Sequence, residues 1–419
     1  MPESQLRRPG LVVFDVEGVL VPKKRFLFFV VGRNLQFSQF LRIVFYGLLY
    51  EMGLVSLKNA LSQVFKVFKG MRIDAPSNFF REVPLMPGAE EIFWMLRREG
   101  WKTALISSGL PAIVVQDLAS KLHADYGFGL ELKSRNGILT GEIGGDAMEK
   151  NGKRRVLREI LAREELLPED CVIVADDRNN LSIFLPEAFK IGYNADFVIR
   201  VKADAVVSGQ LDRVFSEIAG EPTQSDQLPS KNEAVREAIH ASGFPMSIVA
   251  SAIGVFPVVV FICFVAVLFA VSETKRMERT NLPIIGSVTR YAATHEELYE
   301  LATAPMFFAL GIVLTLLVFP MPVSGAAIAA FALGDSTASL FGKAFGKRWL
   351  SFNKGKTWEG SLMSFFFAFL ASLYFVAPLS ALVAASIAVA VESLPLPIND
   401  NLATPLVTGF VLALTSFLV

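Results

Sequence analysis

Two stretches of this chain run without a single charged side chain, Phe244 to Val271 and Leu301 to Gly334. A bilayer-spanning helix needs about 20 predominantly apolar residues, and core helices of soluble domains seldom reach that length uninterrupted. Gly360 to Val391 and Asn401 to Val419 repeat the pattern. Pro257, the Pro-Met-Pro at 320–322 and Pro378 fall inside these runs and are expected to divide them. About six membrane segments, give or take one, follow. Residues 1–240 are different, because charges there alternate with short apolar runs. The expected architecture is a soluble α/β domain followed by a polytopic all-α transmembrane domain.

Composition narrows the possibilities. The 419 residues leave room for two or three domains. A formal net charge of zero offers no case for nucleic-acid binding. The two cysteines, Cys171 and Cys263, lie in different halves, so neither a disulfide framework nor a Cys-x-x-Cys metal site is available. The apolar run LVVF near the start is stopped at once by Asp15, which is unlike a secretory signal. The N-terminal half is therefore expected in the cytosol.

LVVFDVEGVL reads as a buried strand, Leu11 to Phe14, that ends at Asp15, with Glu17 and Gly18 in the turn beyond. In parallel sheets ligands bind outside the carboxyl ends of strands. One carboxylate there can attack phosphorus while the other acts as acid and base, although a strand followed by a plain acidic turn looks the same. WKTALISSGLP is a second such strand, ending in Ser107, Ser108 and Gly109, whose hydroxyls and backbone N–H groups can hold a phosphate. MEKNGKRRVL opens a helix with Lys153 near its start, and CVIVADDRNNLSIF is a third strand ending in Asp176 and Asp177. Carboxylates at a strand end suit Mg²⁺.

This order resembles the haloacid-dehalogenase superfamily, most closely its phosphoserine-phosphatase-like branch, over roughly residues 10–215. The resemblance implies a Rossmann-like core with a helical cap and a Mg²⁺-dependent phosphatase. Asp15 would be the nucleophile, Glu17 the acid/base where the family usually has Asp, Ser107 the phosphate-binding hydroxyl and Lys153 the phosphate-neutralising lysine. Asp15, Glu17 and Asp176 would form the metal site. Asn180 stands where the family's GDGxND carries its second Asp. The cap, about 22–81, is rich in Phe and Leu and carries Lys23, Lys24, Arg25, Arg33 and Arg42. It suits a lipid phosphate, docking on a membrane, or ordinary core helices. The resulting division is 1–217 for this domain, 218–240 for a polar linker and 241–419 for the membrane domain.

Charges border the apolar runs. Lys343, Lys347, Arg348, Lys354 and Lys356 form a basic loop, which fits either a cytosolic membrane flank or a nucleotide polyphosphate. Gly355-Lys356-Thr357 places a flexible backbone, an ammonium and a hydroxyl together, without Walker-type glycine spacing. Asp335, Glu359, Glu392 and Asp400 each lie at or near an expected membrane face. A carboxylate there is expensive, which suggests function. Asp335 and Ser339 share a helix face, and Gly334, Ala338 and Gly342 form a strip of small residues for close helix approach.

GDSTASLFGKAFG, KGKTWEGS and ESLPLPINDNLATPL together resemble the CTP-dependent polyprenol (dolichol) kinase family, over about residues 285–415. The resemblance implies transfer of phosphate from CTP, with Mg²⁺, to a long-chain isoprenoid or other lipid alcohol. Asp335, Glu359 and Asp400 would hold Mg²⁺ or activate the lipid hydroxyl. Lys354 and Lys356 would grip the CTP phosphates, with Thr357 beside them, and Glu392 and Asn401 would complete the nucleotide site. The pattern from Gly334-Asp335 through KTWEG is shared with phosphatidate cytidylyltransferases, so a CDP-lipid synthase is one alternative. A lipid kinase with a non-catalytic, regulatory phosphatase-like domain is another. Both domains are expected to face the cytosol, which fits either a return of Phe244–Val271 to its starting side or a further interfacial helix. A homo-oligomer is compatible with the sequence.

Overall fold

The computed structural model describes residues 8–23, 42, 45–46, 55–80, 83–145, 151–220, 229–277, 302, 304–394 and 399–416. The chain divides into two compact units after Thr223.

The first unit is built on a seven-stranded sheet in the order β4-β3-β2-β1-β5-β6-β7. Its strands are β1 (Leu11–Phe14), β2 (Lys102–Pro111), β3 (Tyr126–Arg135), β4 (Ile138–Gly144), β5 (Cys171–Ala175), β6 (Phe189–Tyr193) and β7 (Ala205–Val207). All neighbours pair in parallel except β3 and β4. β1 lies between β2 and β5 and is buried on both faces. This is why LVVF is a continuous apolar run and not an alternating one. Strand order reverses around β1, so the carboxyl ends of β1, β2 and β5 open one crevice. β2 continues past Ser107 to Pro111, with a register shift between Ile106 and Pro111, and does not stop at the hydroxyl residues as expected.

Helices α1 (Leu57–Phe65), α2 (Ala75–Phe80), α3 (Ala89–Arg98), α4 (Ala112–Leu122), α5 (Gly152–Arg163), α6 (Phe197–Lys202) and α7 (Arg213–Ala219) belong to the same unit. The side chains of α5 at Val156, Leu157, Ile160 and Leu161 pack into the core formed by β1, β2 and β5. About half of the expected cap, including Lys24, Arg25 and Arg33, lies outside the described residues, and Arg42 is exposed. Its C-terminal part is described. Ser56 caps α1 by accepting from Asn59 N–H, and Phe65, Val67 and Phe68 bury against Leu130 and Leu139 of the β3–β4 ribbon. That part behaves as an ordinary apolar core.

The second unit is helical: α8 (Lys231–Ala241), α9 (Gly243–Ile253), α10 (Val255–Met277), α11 (Ala304–Val318), α12 (Val323–Phe345), α13 (Trp358–Ser372), α14 (Pro378–Ser393) and α15 (Asp400–Ser416). A two-stranded ribbon, β8 (Trp349–Leu350) with β9 (Asn353–Thr357), precedes α13. Two helical segments, Val255–Arg276 and Val323–Phe345, are long and apolar enough to cross a membrane, and α11 and α14 are shorter apolar helices. Phe256, Phe264, Leu362, Phe366, Leu379 and Phe410 face outward from this unit. The break in the first apolar run falls at Gly254, with φ 95°, and not at Pro257. Pro257 sits in the first turn of α10, where no intrahelical N–H is lost. The strip of small residues does bring helices together: a Cβ on Gly360 would lie 2.7 Å from the Ala338 carbonyl oxygen and 3.0 Å from Gly342 Cα.

Part of the segment read as a linker is helix α8. Ser230 and Glu233 form a capping box at its start, so the helix begins where a hydroxyl and a carboxylate satisfy its free N–H groups.

Candidate active site

In the first unit the strand ends position every group. Asp15 follows β1 and is almost fully buried. Its Oδ1 accepts from Lys153 Nζ at 2.8 Å and its Oδ2 from Asn180 Nδ2 at 2.6 Å. Lys153, in the first turn of α5, also donates to Asn180 Oδ1 at 2.7 Å. Asn180 therefore closes a triangle with the other two. Burial alone lowers the Lys153 ammonium, and the charges of Asp15 and Glu17 more than reverse that, leaving it raised and cationic.

Glu17 stands beside this triangle. Burial first, then the charge of Asp15, pushes its carboxyl up to about 6, against Lys153 and a hydrogen bond from Ser107. A Cβ on Gly109 would come within 2.2 Å of Glu17 Oε1, so the glycine leaves the space that the carboxyl occupies. Ser107 is fully buried, and its Oγ accepts from the N–H groups of Gly109 and Leu110 at 3.1 and 2.8 Å. Those two N–H groups are turned inward and do not form the open phosphate cradle that the sequence suggested. Ser108 and Gly109 are half-buried at the same turn.

Asp176 follows β5. Asp177 caps the short 3-10 helix Arg178–Ser182 by accepting from Asn179 N–H at 3.0 Å. Carboxylate oxygens of Asp15, Asp176 and Asp177 lie within 4.8 Å of one another. The group among this unit's described residues that could hold a metal thus contains Asp177 where Glu17 was expected. The reason is that Glu17, three residues beyond the strand end, turns toward Ser107 instead. Lys23 Nζ lies 3.2 Å from Asp176 Oδ2 and also pairs with Asp177. An ammonium drawn to these oxygens, and three carboxylates within one coordination sphere, fit a hard divalent cation. Burial pushes Asp176 well above the usual carboxylate range, with Lys23 opposing it.

Several known proteins resemble the N-terminal unit. Residues 12–182 match the haloacid dehalogenase-like hydrolase family. A phosphoserine phosphatase of Archaeoglobus fulgidus is 31% identical over 156 residues, covering 37% of this chain and 45% of that protein. The chain therefore spans less than half the length of that relative. One from Methanocaldococcus jannaschii is 29% identical over 155 residues, covering 37% of this chain and 73% of that protein. A solved phosphoserine phosphatase carrying a phospho-aspartyl intermediate analogue is 25% identical, with a TM-score of 0.44, over 50% of this chain and 99% of that one. The N-terminal unit carries a haloacid dehalogenase-like hydrolase domain. In this domain Asp15 occupies the end of the central strand, and Lys153, Asn180, Asp176 and Asp177 surround it.

The second unit gathers another polar cluster. Asp335, inside α12, meets His240 Nδ1 of α8 through Oδ2 at 2.8 Å, while its Oδ1 lies 4.0 Å from Lys356 Nζ. Lys356, on β9, donates to Glu392 Oε1 at 2.6 Å, and Glu392 Oε2 accepts from Ser364 Oγ at 3.3 Å. Burial lowers the Lys356 ammonium, and Glu392 and Asp335 more than reverse it, so it stays charged. Asp335, Lys356 and Glu392 are thus brought together as the sequence suggested. Asp400 is exposed in the first turn of α15 and acts on Lys356 through space, without joining the close carboxylate group around Asp335 among the described residues.

Three other residues have local tasks. Thr357 caps α13 by accepting from Gly360 N–H at 3.2 Å, and Glu359 accepts from Arg348 N–H at 3.3 Å. Asn401 donates its N–H to Asn399 Oδ1 at 3.1 Å. The Lys354 side chain lies outside the described residues.

Sequence reasoning missed Glu237 and His240, because their segment read as a linker. The signal was present in the Ser230–Glu233 capping box and in the three-residue spacing of Glu237 and His240, which puts both on one helix face.

Proposed function

We propose that the N-terminal domain hydrolyses phosphomonoesters through an aspartyl phosphate on Asp15. The observation that carries this reading is the Asp15–Lys153–Asn180 triangle beside Glu17. A carboxylate oxygen of Asp15 attacks phosphorus, and the leaving alcohol oxygen takes its proton from Glu17. Glu17 then accepts a proton from the water that attacks the aspartyl phosphate, regenerating Asp15. A carboxyl raised to about 6 suits a group that must begin protonated. Lys153 holds positive charge against the transferred phosphoryl group and keeps Asp15 oriented. Mg²⁺, held by Asp15, Asp176 and Asp177, would add positive charge against the phosphoryl oxygens. The test is release of phosphate by the full chain from a panel containing phosphoserine and lipid monophosphates, with and without Asp15→Asn. Equal release by both proteins refutes the reading.

The second unit is read as a membrane-embedded, CTP-dependent kinase for a polyprenol-type or other long-chain lipid alcohol. Lys356 supports this reading, because it is a half-buried ammonium between Asp335 and Glu392 at the ends of apolar helices. Such a site can take an anionic polyphosphate while the acceptor's tail stays in lipid. Outward-facing Phe and Leu side chains on α10, α13, α14 and α15 support a lipid surround. Incubation with CTP labelled at the γ-phosphate and a panel of isoprenoid and glycerolipid alcohols separates the outcomes. Label on the lipid supports the kinase, pyrophosphate release assigns a CDP-lipid synthase, and neither product overturns both.

A further inference from the structure

Glu237, His240 and Asp335 each place one ligand atom within 4.8 Å of the other two, well separated in sequence from the Asp15 site. Glu237 and His240 stand three apart on α8, so both face α12. His240 Nδ1 and Asp335 Oδ2 are 2.8 Å apart. Two ligands about 2.1 Å from a shared metal, at tetrahedral or octahedral angles, stand about 3.0–3.4 Å apart, so the pair needs to open by only a few tenths of an ångström.

The decisive atom is Glu237 Oε2. Glu237 is 3% exposed, and this oxygen has no hydrogen-bond partner among the described residues. Leaving a buried carboxylate oxygen unmatched costs free energy, and either a proton or a bound cation at this oxygen removes that cost. The other oxygen, Oε1, accepts from Ser339 Oγ at 2.8 Å. Ser336 Oγ contacts the Glu237 carbonyl at 3.0 Å and fastens α8 to α12. Such outer contacts are what orient metal ligands. The surrounding charge points the same way. Glu237, Asp335, Glu392 and Asp400 face Lys356 and Arg236, which leaves an excess of two negative charges when His240 is neutral, the form that binds a metal, and of one when it is an imidazolium.

The geometry points to a divalent-cation site formed by Glu237, His240 and Asp335, and its imidazole selects a first-row transition ion such as Mn²⁺ or Zn²⁺ over Mg²⁺. The site joins α8 to α12 whether or not the unit transfers phosphate, and it is tested without nucleotide or lipid.

The experiment uses the full chain in detergent, without a histidine tag, stripped by chelator and titrated with Mn²⁺. Pulsed electron paramagnetic resonance reads nitrogen coupling to bound Mn²⁺. The all-carboxylate site at Asp15 supplies no imidazole, so the signature separates the two sites. The expected result is a nitrogen-coupled Mn²⁺ that persists in Asp176→Asn and vanishes in His240→Gln. Glu237→Gln, which keeps the side-chain shape, is expected to weaken that Mn²⁺ more than about tenfold, so the inference stays testable if the histidine variant does not fold. Absence of nitrogen coupling at saturating Mn²⁺ overturns the site and leaves an imidazolium paired with carboxylates. Coupling that survives both variants overturns it as well.

Discussion

Asn180 Nδ2 donates to Asp15 Oδ2 at 2.6 Å from a side chain with no solvent exposure. The same amide accepts from Lys153 through Oδ1, so one neutral group satisfies both an anion and a cation. An Asp at this position keeps the Lys153 contact and loses the donor to Asp15. Asn180→Asp is therefore expected to lower the melting temperature without metal, by an amount corresponding to about 1–3 kcal/mol. It is also expected to enlarge the rise in melting temperature on adding Mg²⁺, because a further carboxylate then faces the ion. Differential scanning fluorimetry at matched Mg²⁺ concentrations reads both effects, and an unchanged Mg²⁺ response contradicts the assignment.

Lys153→Met leaves Asp15 buried without its ion partner. Breaking a buried pair from one side costs about 3–5 kcal/mol, and the phosphoryl group loses its neutralising charge. Urea unfolding and phosphate release should both respond, and the activity loss should exceed that of the exposed control Lys121→Met.

Glu17 gives the hydrolysis its pH dependence. Its carboxyl titrates at about 6 in the folded protein, so the acid form falls about tenfold for each pH unit above that. kcat/KM should decline accordingly, and Glu17→Gln should flatten the profile while removing about 10²–10⁴ of the rate. Stability has the same sign. The folded state holds a proton that the unfolded chain releases, so this contribution is complete below the unfolded value of 4.5 and lost as pH rises through about 6. A profile that rises through this range contradicts the role.

Gly18 and Gly70 provide a matched pair. Both have φ near 90°, yet a Cβ on Gly18 would lie 2.1 Å from Asp176 Oδ2, whereas one on Gly70 would meet nothing within 4 Å. Gly70→Ala is expected to carry only backbone strain, about 1–2 kcal/mol. Gly18→Ala should add displacement of Asp176 and weaken Mg²⁺ binding by more than about tenfold. Isothermal titration with Mg²⁺ separates the two variants, and equal affinities would exclude the contact.

Lys356→Met removes the ammonium between Asp335 and Glu392 in the second unit. Transfer of the γ-phosphate from CTP is expected to fall by at least about a hundredfold. Lys356→Arg should recover little, because a planar fork does not fit a point-charge site. Full activity in either variant would remove Lys356 from the nucleotide site.

Several features were legible in the sequence because they depend on neighbours along the chain. The continuous apolar run of β1 required a strand buried on both faces, and Asp15 then had to fall at its carboxyl end. The charge-free runs required apolar helices, and the spacing of Gly334, Ala338 and Gly342 required a close helix contact. Lys153 and Asp176 followed from their places near a helix start and a strand end.

Tertiary structure decided what those residues touch. Asn180 and Asp15 are 165 positions apart, and only the sheet order, which sets β1 against β5, makes them hydrogen-bonded neighbours. Ser107 binds the N–H groups of its own turn because β2 continues past it, so its hydroxyl oxygen is occupied locally. Asp177 took the place expected for Glu17 because a side chain's direction beyond a strand end depends on the opposite wall of the crevice. Glu237 and His240 sit on a short amphipathic helix whose polar face looked like a solvated linker. Their burial against Asp335 depends on α12 presenting small residues and a carboxylate to that face, a contact set by packing across about a hundred residues of chain.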